Sequence, residues 1–511
     1  NGINCRELLN ISVLEGGGQI VRIALSIASV LFKTIKISNI RAGRLKPGLA
    51  AQHLEGIHLL NSISNGTIQG DFLGSATIEY FPGHGCTENN FISDAGTAGS
   101  VTLMAQIALP AAVLLRPKGS SPNTLDYNLR HIKLRGGTNV PFSPPIDHSK
   151  NVLIPFLEKF GIRISAQILK RGYYPRGQGI AQFRVFRCTK LFPIDCRRQG
   201  SLISLNASVF GNVSPSVITS LEISLKQNFS LSPLITIECG SSISELELKS
   251  GLDDEAKLKY ISSDVEQTKS SNSSDKISIC KYCHTTMVFT AAEEEKFLSS
   301  RYQKPSYCKS CQALRKVRSQ KRAADAVDSE ERLVAQKFSD VDTTHGRKEV
   351  QTLGVQLWAV TSTGMVLQSN ITIQSAKGNC LSQEQIDDAA RVVCDKLRAL
   401  SLSGACIDTF TADQLIIYLA LSPGRSYLLV EPEPTDTCLH LLTAITVAEQ
   451  LSGAKFSVHL VNPADDQIET IEDIQLTKDA SGSKAPICSG KDSLSSTTKM
   501  CRLIVCDGVG L

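Results

Sequence analysis

The chain has 511 residues, of which 42% are hydrophobic and 20% charged, a composition that excludes disorder along most of its length. Its length exceeds that of one ordinary domain and predicts about two to four of them. Because 54 basic residues oppose 49 acidic ones, the net charge is only +5, a weak indication of a polyanionic partner.

Apolar runs and cysteines narrow the class of protein further. The nearest candidate for a membrane span, "MAQIALPAAVLL" at 104–115, falls short of the roughly 20 residues needed, so no membrane partner is expected. Most of the 16 cysteines stand singly in apolar runs, as Cys394 and Cys406 do, which predicts reduced thiols in an intracellular protein. The start lacks a signal-peptide pattern and opens on Asn1 rather than methionine, as a fragment would.

The first predicted elements are a glycine turn and the helix after it. In "EGGGQIVRIAL", which begins at Glu15, three glycines precede a run with helical apolar spacing. Such a turn lets backbone N–H groups approach an anion, so it predicts either a phosphate contact or simply a tight strand-to-helix turn. The spacing matches neither the dinucleotide-binding glycine pattern nor the Walker loop.

A basic loop follows the strand-like "IKISNIRAG". In "IRAGRLKPGLAAQH" (40–53), three cations lie within six residues and are framed by glycines and a proline. Guanidinium groups suit phosphate oxygens, and a rigid loop holds them at low entropic cost. The loop is interpreted as a phosphate site, with a solvated basic loop as the alternative.

Up to residue 187 the chain keeps alternating strand-like and helical runs, such as "ATIEYF" and "AGSVTLMAQIALPAAVLL". Two loops, "RGGTNVPFSPPIDH" (135–148) and "RGYYPRGQG" (171–179), combine glycine, proline and polar groups and are expected beside a cleft. In the first loop Asp147 would hold a divalent cation, orient a base, or cap a turn.

The middle of the chain differs in composition. Residues 188–240 still alternate strand and helix, whereas 241–276 are rich in serine and charge and predict a linker. Two CxxC pairs separated by 24 residues then predict a tetrahedral structural Zn²⁺, with the ligands Cys280, Cys283, Cys308 and Cys311. With few apolar residues, this module would take its folding energy from the metal.

The cysteine module also resembles a small zinc-ribbon family known mostly from its sequence pattern. Its role is open between nucleic-acid binding, partner docking and local scaffolding, and it is either a genuine insertion or an error in assembling the coding sequence. The adjacent "RKVRSQKR" (315–322) indicates attraction to a phosphate backbone, nuclear targeting, or a solvated helix face.

The last part, 350–511, returns to the α/β pattern of the first. Strands in "VQLWAVTSTGMVL" precede helices in "SQEQIDDAARVVCDKLRAL", "ADQLIIYLAL" and "TCLHLLTAITVAEQ". Because polar or glycine-rich turns lead into an apolar helix at three places, a repeated α/β unit is predicted. His440 enters the last helix either as a core histidine or as a nucleophile at a helix start.

Seven segments in chain order together resemble the RNA 3′-terminal phosphate cyclase family. They are "EGGGQIVR", "IRAGRLKPGLAAQHL", "GTAGSVTLMAQIALP", "GGTNVPFSPPID", "RGYYPRGQG", "TADQLIIYLAL" and "CLHLLTAI". The resemblance covers most of 1–187 and 350–511, and 188–240 more weakly. It implies an α/β (α+β) fold: a large domain of three βαβαββ-type units and a smaller inserted α/β domain, with the zinc ribbon inside the insertion.

The resemblance and the composition together divide the chain into five predicted segments. They are 1–187 for the first two repeats, 188–276 for the inserted domain and linker, 277–322 for the ribbon with its basic tail, 323–349 for a linker, and 350–511 for the third repeat.

The resemblance implies a ligase that consumes ATP, with Mg²⁺ or Mn²⁺, and acts on RNA that ends in a 3′-phosphate. A histidine attacks the α-phosphate and forms a covalent histidine–AMP. AMP then passes to the RNA 3′-phosphate, and the vicinal 2′-hydroxyl closes a 2′,3′-cyclic phosphate. A neutral imidazole suits this role near neutral pH.

Carried onto this sequence, the nucleophile falls on His440, and the other catalytic residues are Glu15, Arg22 and Arg44. Nucleotide binding falls on Gln106, Pro141, Phe410, Asp413 and Gln414, and contacts to RNA or phosphate fall on Arg41, Lys46, Gln52 and His53. Phe410 stands where some members carry tyrosine, so stacking on adenine is kept but a hydroxyl contact is lost.

Two other functions compete with this hypothesis. One is a catalytically inactive cyclase-like protein that acts as an RNA-binding factor in rRNA processing, and the other is a zinc-dependent nucleic-acid adaptor. The histidine and the basic loop favour the enzyme, since the inactive branch lacks both. An intracellular location is expected, with the nucleus favoured over the cytoplasm.

Overall fold

The computed structural model describes residues 9–11, 17–116, 129–228, 235–240, 276–279, 286–289, 350–376, 379–432, 438–463 and 500–510. The chain divides into two compact units, which are Asn1–Ser244 with Glu349–Leu511, and Glu245–Lys348. None of the described helices is long and apolar enough to cross a membrane.

The first sheet of the larger unit sets the pattern for the rest. Its strand order is β1-β2-β4-β3, with β1 and β2 parallel and the remaining pairs antiparallel. The elements are β1 (Leu9–Ile11), α1 (Gly18–Val30), β2 (Ile35–Ile37), α2 (Ala51–Ser64), β3 (Thr67–Gln69) and β4 (Ile78–Phe81).

The second sheet repeats this arrangement with the order β5-β6-β8-β7 and the same parallel and antiparallel pairs. Its elements are β5 (Asn90–Asp94), α3 (Val101–Leu114), β6 (Leu129–Gly136), α4 (Ile146–His148), α5 (Ile154–Lys159), β7 (Ile164–Lys170) and β8 (Gly179–Phe186). A π-helical segment, Ser149–Leu153, joins α4 to α5. Buried and half-buried residues alternate along β6, as the two-residue period of a strand requires.

The chain then starts a third sheet with β9 (Asp195–Cys196) but leaves it at once for a different one. This inserted sheet has the order β11-β10-β14-β15, with β10 and β11 parallel. Its elements are β10 (Leu202–Gly211), α6 (Pro215–Asn228), β11 (Ile235–Gly240), β14 (Thr352–Thr361), β15 (Val366–Gln374) and α7 (Gln383–Ser403).

Two further strands lie in the smaller unit, between β11 and β14 in the sequence. They are β12 (Lys276–Ile279) and β13 (Thr286–Phe289), which pair as an antiparallel hairpin. The predicted linkers and most of the predicted ribbon lie outside the described residues, so these assignments stay predictions.

After α7 the chain returns and completes the third sheet, whose order is β9-β16-β18-β17. The pairing again has one parallel and two antiparallel pairs. The elements are α8 (Thr409–Leu421), β16 (Pro423–Val430), α9 (Cys438–Ser452), β17 (Lys455–Val461) and β18 (Cys501–Val509). The α/β fold with three βαβαββ units predicted from the sequence is therefore present.

Strand pairing also shows how much of the chain the inserted sheet uses. Strands β14 and β15 fall inside the segment assigned to the third repeat from 350 onward, but β14 pairs with β10 and β15 pairs with β14, so both belong to the inserted sheet. Helix α7 starts with a capping box, in which Ser382 and Gln385 satisfy each other's backbone N–H groups, and ends at Gly404 in the left-handed region.

The core lies between the helices and their sheets. Helix α1 is apolar along almost its whole length and is buried from Gln19 to Val30, apart from Arg22. It packs against both α3 and α9. The Ser26 hydroxyl at the α1–α3 contact donates to the carbonyl of Ile107 at 2.9 Å, which satisfies a buried polar group.

Candidate active site

Two helices from distant parts of the sequence run side by side in the same direction. At their amino ends, Gln19 of α1 is hydrogen-bonded to His440 of α9. At their carboxyl ends, Nζ of Lys33, just after α1, donates to the carbonyl of Leu451 in the last turn of α9 at 2.6 Å. Both helix N-termini therefore lie together, and the partial positive charge of helix N-termini favours an anion at this place.

The contact between Gln19 and His440 consists of two hydrogen bonds. Ring atom Nδ1 of His440 lies 2.7 Å from Oε1 of Gln19, and Nε2 of Gln19 donates to the backbone oxygen of His440 at 3.1 Å. Gln19 is only 4% exposed, so its amide is held by these partners away from bulk water. The imidazole ring is thus fixed against the first turn of α1.

A cleft opens beside this contact, and Arg22 stands in its wall one helical turn after Gln19. Gln106 of α3 and Asp413 and Gln414 of α8 line the same cleft. Burial lowers the pKa of Arg22, and the nearby Asp413 carboxylate raises it in part. The fold therefore brings into the lining of one cleft four residues that the family resemblance assigned to catalysis and nucleotide binding.

His53 of α2 lies at the beginning of α1 and is 4% exposed. Its Nδ1 accepts a hydrogen bond from the backbone N–H of Ala50 at 3.1 Å, and its Nε2 faces Gly18. Burial, together with the positive charges of Arg22 and Arg41, lowers the pKa of His53 to about 3. His53 is therefore neutral at physiological pH, and because Nδ1 accepts, the proton resides on Nε2.

The basic loop is a compact turn whose cations differ in exposure. Arg41 adopts a left-handed conformation, with φ of 53°, and its Nη1 donates to the carbonyl of Gly48 at 2.8 Å. Arg44 and Lys46 are exposed at the surface. Arg41 thus closes the turn, while the other two cations are positioned for contact with an external anion.

Gln52, which follows the cations of the basic loop, contacts the start of helix α3. Its Oε1 accepts a hydrogen bond from the backbone N–H of Ser100, the residue that caps α3, at 2.9 Å. The side chain therefore satisfies one of the unpaired N–H groups at the start of α3. Contact with RNA or phosphate by Gln52 stays a prediction.

The loop at 135–148 is held by a buried ion pair. Asp147 is 2% exposed, and its two oxygens each lie 2.8 Å from a terminal nitrogen of Arg171. Asn139 and Ser208 donate to the same carboxylate. Burial alone would raise the pKa of Asp147, but the hydrogen bonds and charge of Arg171 outweigh it and lower the pKa. Asp147 thus ties two loops to strand β10, a role that differs from the cation, base and turn-cap roles predicted from sequence.

The two residues predicted to sandwich adenine lie on linked segments. Pro141 is exposed in the loop at 135–148, and Phe410 is 60% exposed in the first turn of α8. A buried hydrogen bond of 2.8 Å between His148 Nε2 and Thr411 Oγ1 joins the two segments. The Gln414 amide donates to the backbone carbonyl of Phe410 at 2.9 Å.

Several predicted site residues lie outside the described part of the chain. These are Glu15 and the four zinc ligands, Cys280, Cys283, Cys308 and Cys311. Among the residues that are described, no group of three or more His, Cys, Asp or Glu side chains could hold a metal ion. Zinc in the ribbon stays a prediction.

Sequence reasoning did not single out Gln19 or Lys33. A signal for Gln19 was present, because it directly follows the three glycines and begins the apolar helix in "EGGGQIVR". Lys33 had none, since its partner is a backbone carbonyl 418 residues away.

Comparison with known proteins places this geometry in context. A profile of the RNA 3′-terminal phosphate cyclase family matches residues 13–458. Proteins named RNA 3′-terminal phosphate cyclase are 40% identical over 173 residues in Metallosphaera sedula, 40% over 180 residues in Drosophila melanogaster, and 43% over 171 residues in Archaeoglobus fulgidus. These matches cover 34%, 35% and 34% of this chain, and 48%, 46% and 48% of the relatives. The chain thus spans about half the length of the curated relatives it matches.

Proposed function

This chain belongs to the RNA 3′-terminal phosphate cyclase family, and from that premise we propose that it converts an RNA 3′-terminal phosphate into a 2′,3′-cyclic phosphodiester with consumption of ATP. The proposed nucleophile is His440. The relatives' shared name supports the reaction class, and the arrangement of α1, α8 and α9 supports the residues that would perform it.

One observation carries the proposal above all others. The helix that bears His440 meets the glycine-led helix that bears Arg22, and the cleft beside them contains Gln106, Asp413 and Gln414. A nucleophile, a cation and helix N-termini close together are what an attack on a phosphate group requires.

In the first step, a lone pair of the neutral His440 ring attacks the α-phosphorus of ATP. A P–N bond forms, the bond from that phosphorus to the bridging oxygen of the β-phosphate breaks, and pyrophosphate leaves with the electron pair. Negative charge grows on the non-bridging oxygens during this displacement. Arg22 and the N–H groups of α1 and α9 are suited to stabilise that charge in a partly buried setting.

Two further transfers complete the proposed reaction. An oxygen of the RNA 3′-phosphate attacks the AMP phosphorus, the P–N bond breaks, and the imidazole leaves with its electron pair. The 2′-hydroxyl then attacks the 3′-phosphorus and loses its proton, and AMP leaves as the P–O bond of the anhydride breaks. Arg44 and Lys46, exposed on the basic loop, are proposed to hold the phosphates of the RNA end.

Pro141 and Phe410 are proposed to hold adenine between them. Both are exposed on segments that the His148–Thr411 hydrogen bond joins, so their spacing is controlled by the fold. Stacking on an aromatic ring and a proline needs apolar faces rather than a hydroxyl, which phenylalanine supplies as well as tyrosine.

A divalent cation fits the chemistry of this cleft. Mg²⁺ is usually held by one or two carboxylates together with substrate phosphates, so it needs no cluster of protein ligands. Asp413 is the carboxylate in the described lining. When bound with ATP, Mg²⁺ or Mn²⁺ would neutralise charge on the phosphate oxygens.

The test is covalent labelling with ATP that carries its label in the α-phosphate, in the presence of Mg²⁺ or Mn²⁺. We expect a label on the chain that is stable to alkali and labile to acid, as a phosphorus–nitrogen bond is. His440→Ala should abolish it, whereas His459→Ala should keep it, since His459 lies on β17 and is bonded to Ser457.

Two outcomes would contradict the proposal. Label that persists in His440→Ala would show that another residue is the nucleophile. A wild-type protein that takes up no label but binds RNA would instead fit the inactive RNA-binding factor.

A zinc-ribbon role in RNA binding and a nuclear location are further proposals, which rest on the CxxC pairs and on the basic run at 315–322.

A further inference from the structure

We propose that Gln19 is a positioning residue that fixes the tautomer of His440, so that Nε2 is the ring nitrogen that attacks ATP. The role of Gln19 as part of the reaction rests on the proposed function, whereas the state of the ring does not. The two hydrogen bonds between the residues carry the inference.

The orientation of the Gln19 amide follows from chemistry alone. One end of the amide lies 3.1 Å from the backbone oxygen of His440, and a carbonyl oxygen can only accept a hydrogen bond. The NH₂ group must therefore face that carbonyl. The opposite end, which lies 2.7 Å from Nδ1 of the ring, must then be the amide oxygen.

The amide oxygen in turn decides where the ring carries its proton. An amide oxygen is only an acceptor, so Nδ1 of His440 has to donate and must be protonated. In a neutral imidazole the other nitrogen is then unprotonated and keeps its lone pair. Nε2 is therefore the nucleophilic atom. In the opposite tautomer, unprotonated Nδ1 and the amide oxygen of Gln19 would be two acceptors facing each other without a proton between them.

The backbone reinforces this selection. Gln19 is the second residue of α1 and His440 the third of α9, so both side chains start from the first turns of packed helices. Lys33 ties the far ends of the same two helices through Leu451. Because Gln19 is 4% exposed, any other orientation of its amide would leave a buried polar group without a hydrogen-bond partner, which disfavours that orientation.

A purely structural role for Gln19 predicts a different result from a tautomer-setting role. A structural clamp holds helices together whichever nitrogen carries the proton. Lys33 provides the comparison, because it joins α1 to α9 without contacting the ring. Lys33→Met therefore loosens the helix pair while leaving the ring's partner in place.

The experiment is nitrogen NMR of histidine-labelled protein, with the His440 signals assigned from their loss in His440→Asn. We expect wild type to show a protonated Nδ1 and an unprotonated Nε2. Gln19→Ala should give a mixture of both tautomers, whereas Lys33→Met should match wild type. Gln19→Glu loses the donor to the backbone oxygen of His440 but keeps an acceptor at Nδ1, so Nδ1 should stay protonated. If Gln19→Ala fails to fold, an unprotonated Nδ1 in Gln19→Glu would contradict the inference.

Labelling with ATP gives the second readout. Gln19→Ala should adenylylate about 10- to 100-fold more slowly, by analogy with the loss caused by removing the hydrogen-bond partner of a metal-binding histidine. A wild-type ring protonated on Nε2, or an unchanged tautomer in Gln19→Ala, would overturn the inference. If the tautomers behave as expected but wild type takes up no label, the inference about the ring stands and only the proposed function fails.

Discussion

The backbone of Gly18 lies directly against the imidazole of His53, so closely that a Cβ atom on Gly18 would overlap ring atom Nε2. The preceding glycine, Gly17, has open space where its Cβ would be. The glycine turn is therefore not uniform. At Gly18 the missing side chain makes room for a ring that is part of the candidate site.

This difference predicts unequal effects of alanine at the two positions. Gly18→Ala should displace His53 and destabilise the protein by about 1–3 kcal/mol, as overpacking in a buried region does. Gly17→Ala, whose φ of −74° suits any residue, should cost no more than about 1 kcal/mol. Urea unfolding of both variants measures this, and equal losses would show that the Gly18 backbone and the ring can separate without strain.

The second prediction concerns pH and His53. Its pKa is about 3 in the folded chain, against 6.5 for an ordinary histidine, so the unfolded state binds a proton first as pH falls. Stability present above pH 6.5 should be lost progressively between pH 6.5 and 3. The free energy of unfolding, measured by urea at several pH values, should fall less steeply in His53→Gln.

His58 serves as the control for this pH effect. It lies on the same helix but is partly exposed and bonded to Asp71 at 3.1 Å. His58→Gln should keep the steep wild-type dependence below pH 6.5. If His53→Gln and wild type lost stability in parallel, the buried ring would not be the group responsible.

The third prediction compares a buried ion pair with an exposed one. Arg171→Met leaves the Asp147 carboxylate buried without its cation, so we expect a loss of about 3–5 kcal/mol at neutral pH. Arg425→Met breaks the exposed pair with Asp507 and should cost at most about 1 kcal/mol. Unfolding in urea provides both values.

The cost of Arg171→Met should also depend on pH. Asp147 has a lowered pKa in the fold, so its stabilising effect exists above the ordinary aspartate value of about 4 and disappears as pH falls further. The gap between wild type and Arg171→Met should narrow in acid. A gap that stayed constant would mean that lost packing against Phe210, rather than lost charge, dominates.

The fourth prediction concerns the cysteine module. Cys280→Ser combined with Cys308→Ser removes one thiolate from each CxxC pair, so the purified protein should lose its zinc in metal analysis. Adenylylation should remain largely intact, because the residues of the candidate site lie elsewhere in the sequence. Cys380→Ser, at an exposed free thiol, should retain zinc.

A different result would revise the role of the module. Loss of adenylylation in a double variant that still folds would make the ribbon part of the active site. Zinc retained by the double variant would mean that other residues bind it.

The repeated α/β pattern was visible in the sequence because strand periods and apolar helices recur locally. The extent of the inserted sheet was not visible, since the sequence of β14 predicts a strand but does not show which sheet the strand joins. Only its pairing with β10 decides the matter, and that depends on contacts between residues such as Val209 and Val355 that lie far apart in the chain.

The candidate site was predictable in part for a similar reason. Arg22 and His440 stand in distinctive segments, so their residue types and the family resemblance were enough to propose them. The functions of Gln52 and Asp147 depend instead on partners from other elements, Ser100 and Arg171. A sequence shows a carboxylate or an amide but does not show which group will satisfy it.

The inserted sheet separates the first strand of the third sheet from the other strands in the sequence, which affects the order in which they form during protein synthesis. Strand β9 ends at Cys196, but β16, the strand it pairs with, begins only at Pro423. At ~5–20 residues per second, a ribosome needs about 10–45 s to make the intervening segment. The first two sheets and the inserted one can form while β9 waits without a neighbour. The segment that carries His440 is therefore synthesised only after all strands of the inserted sheet.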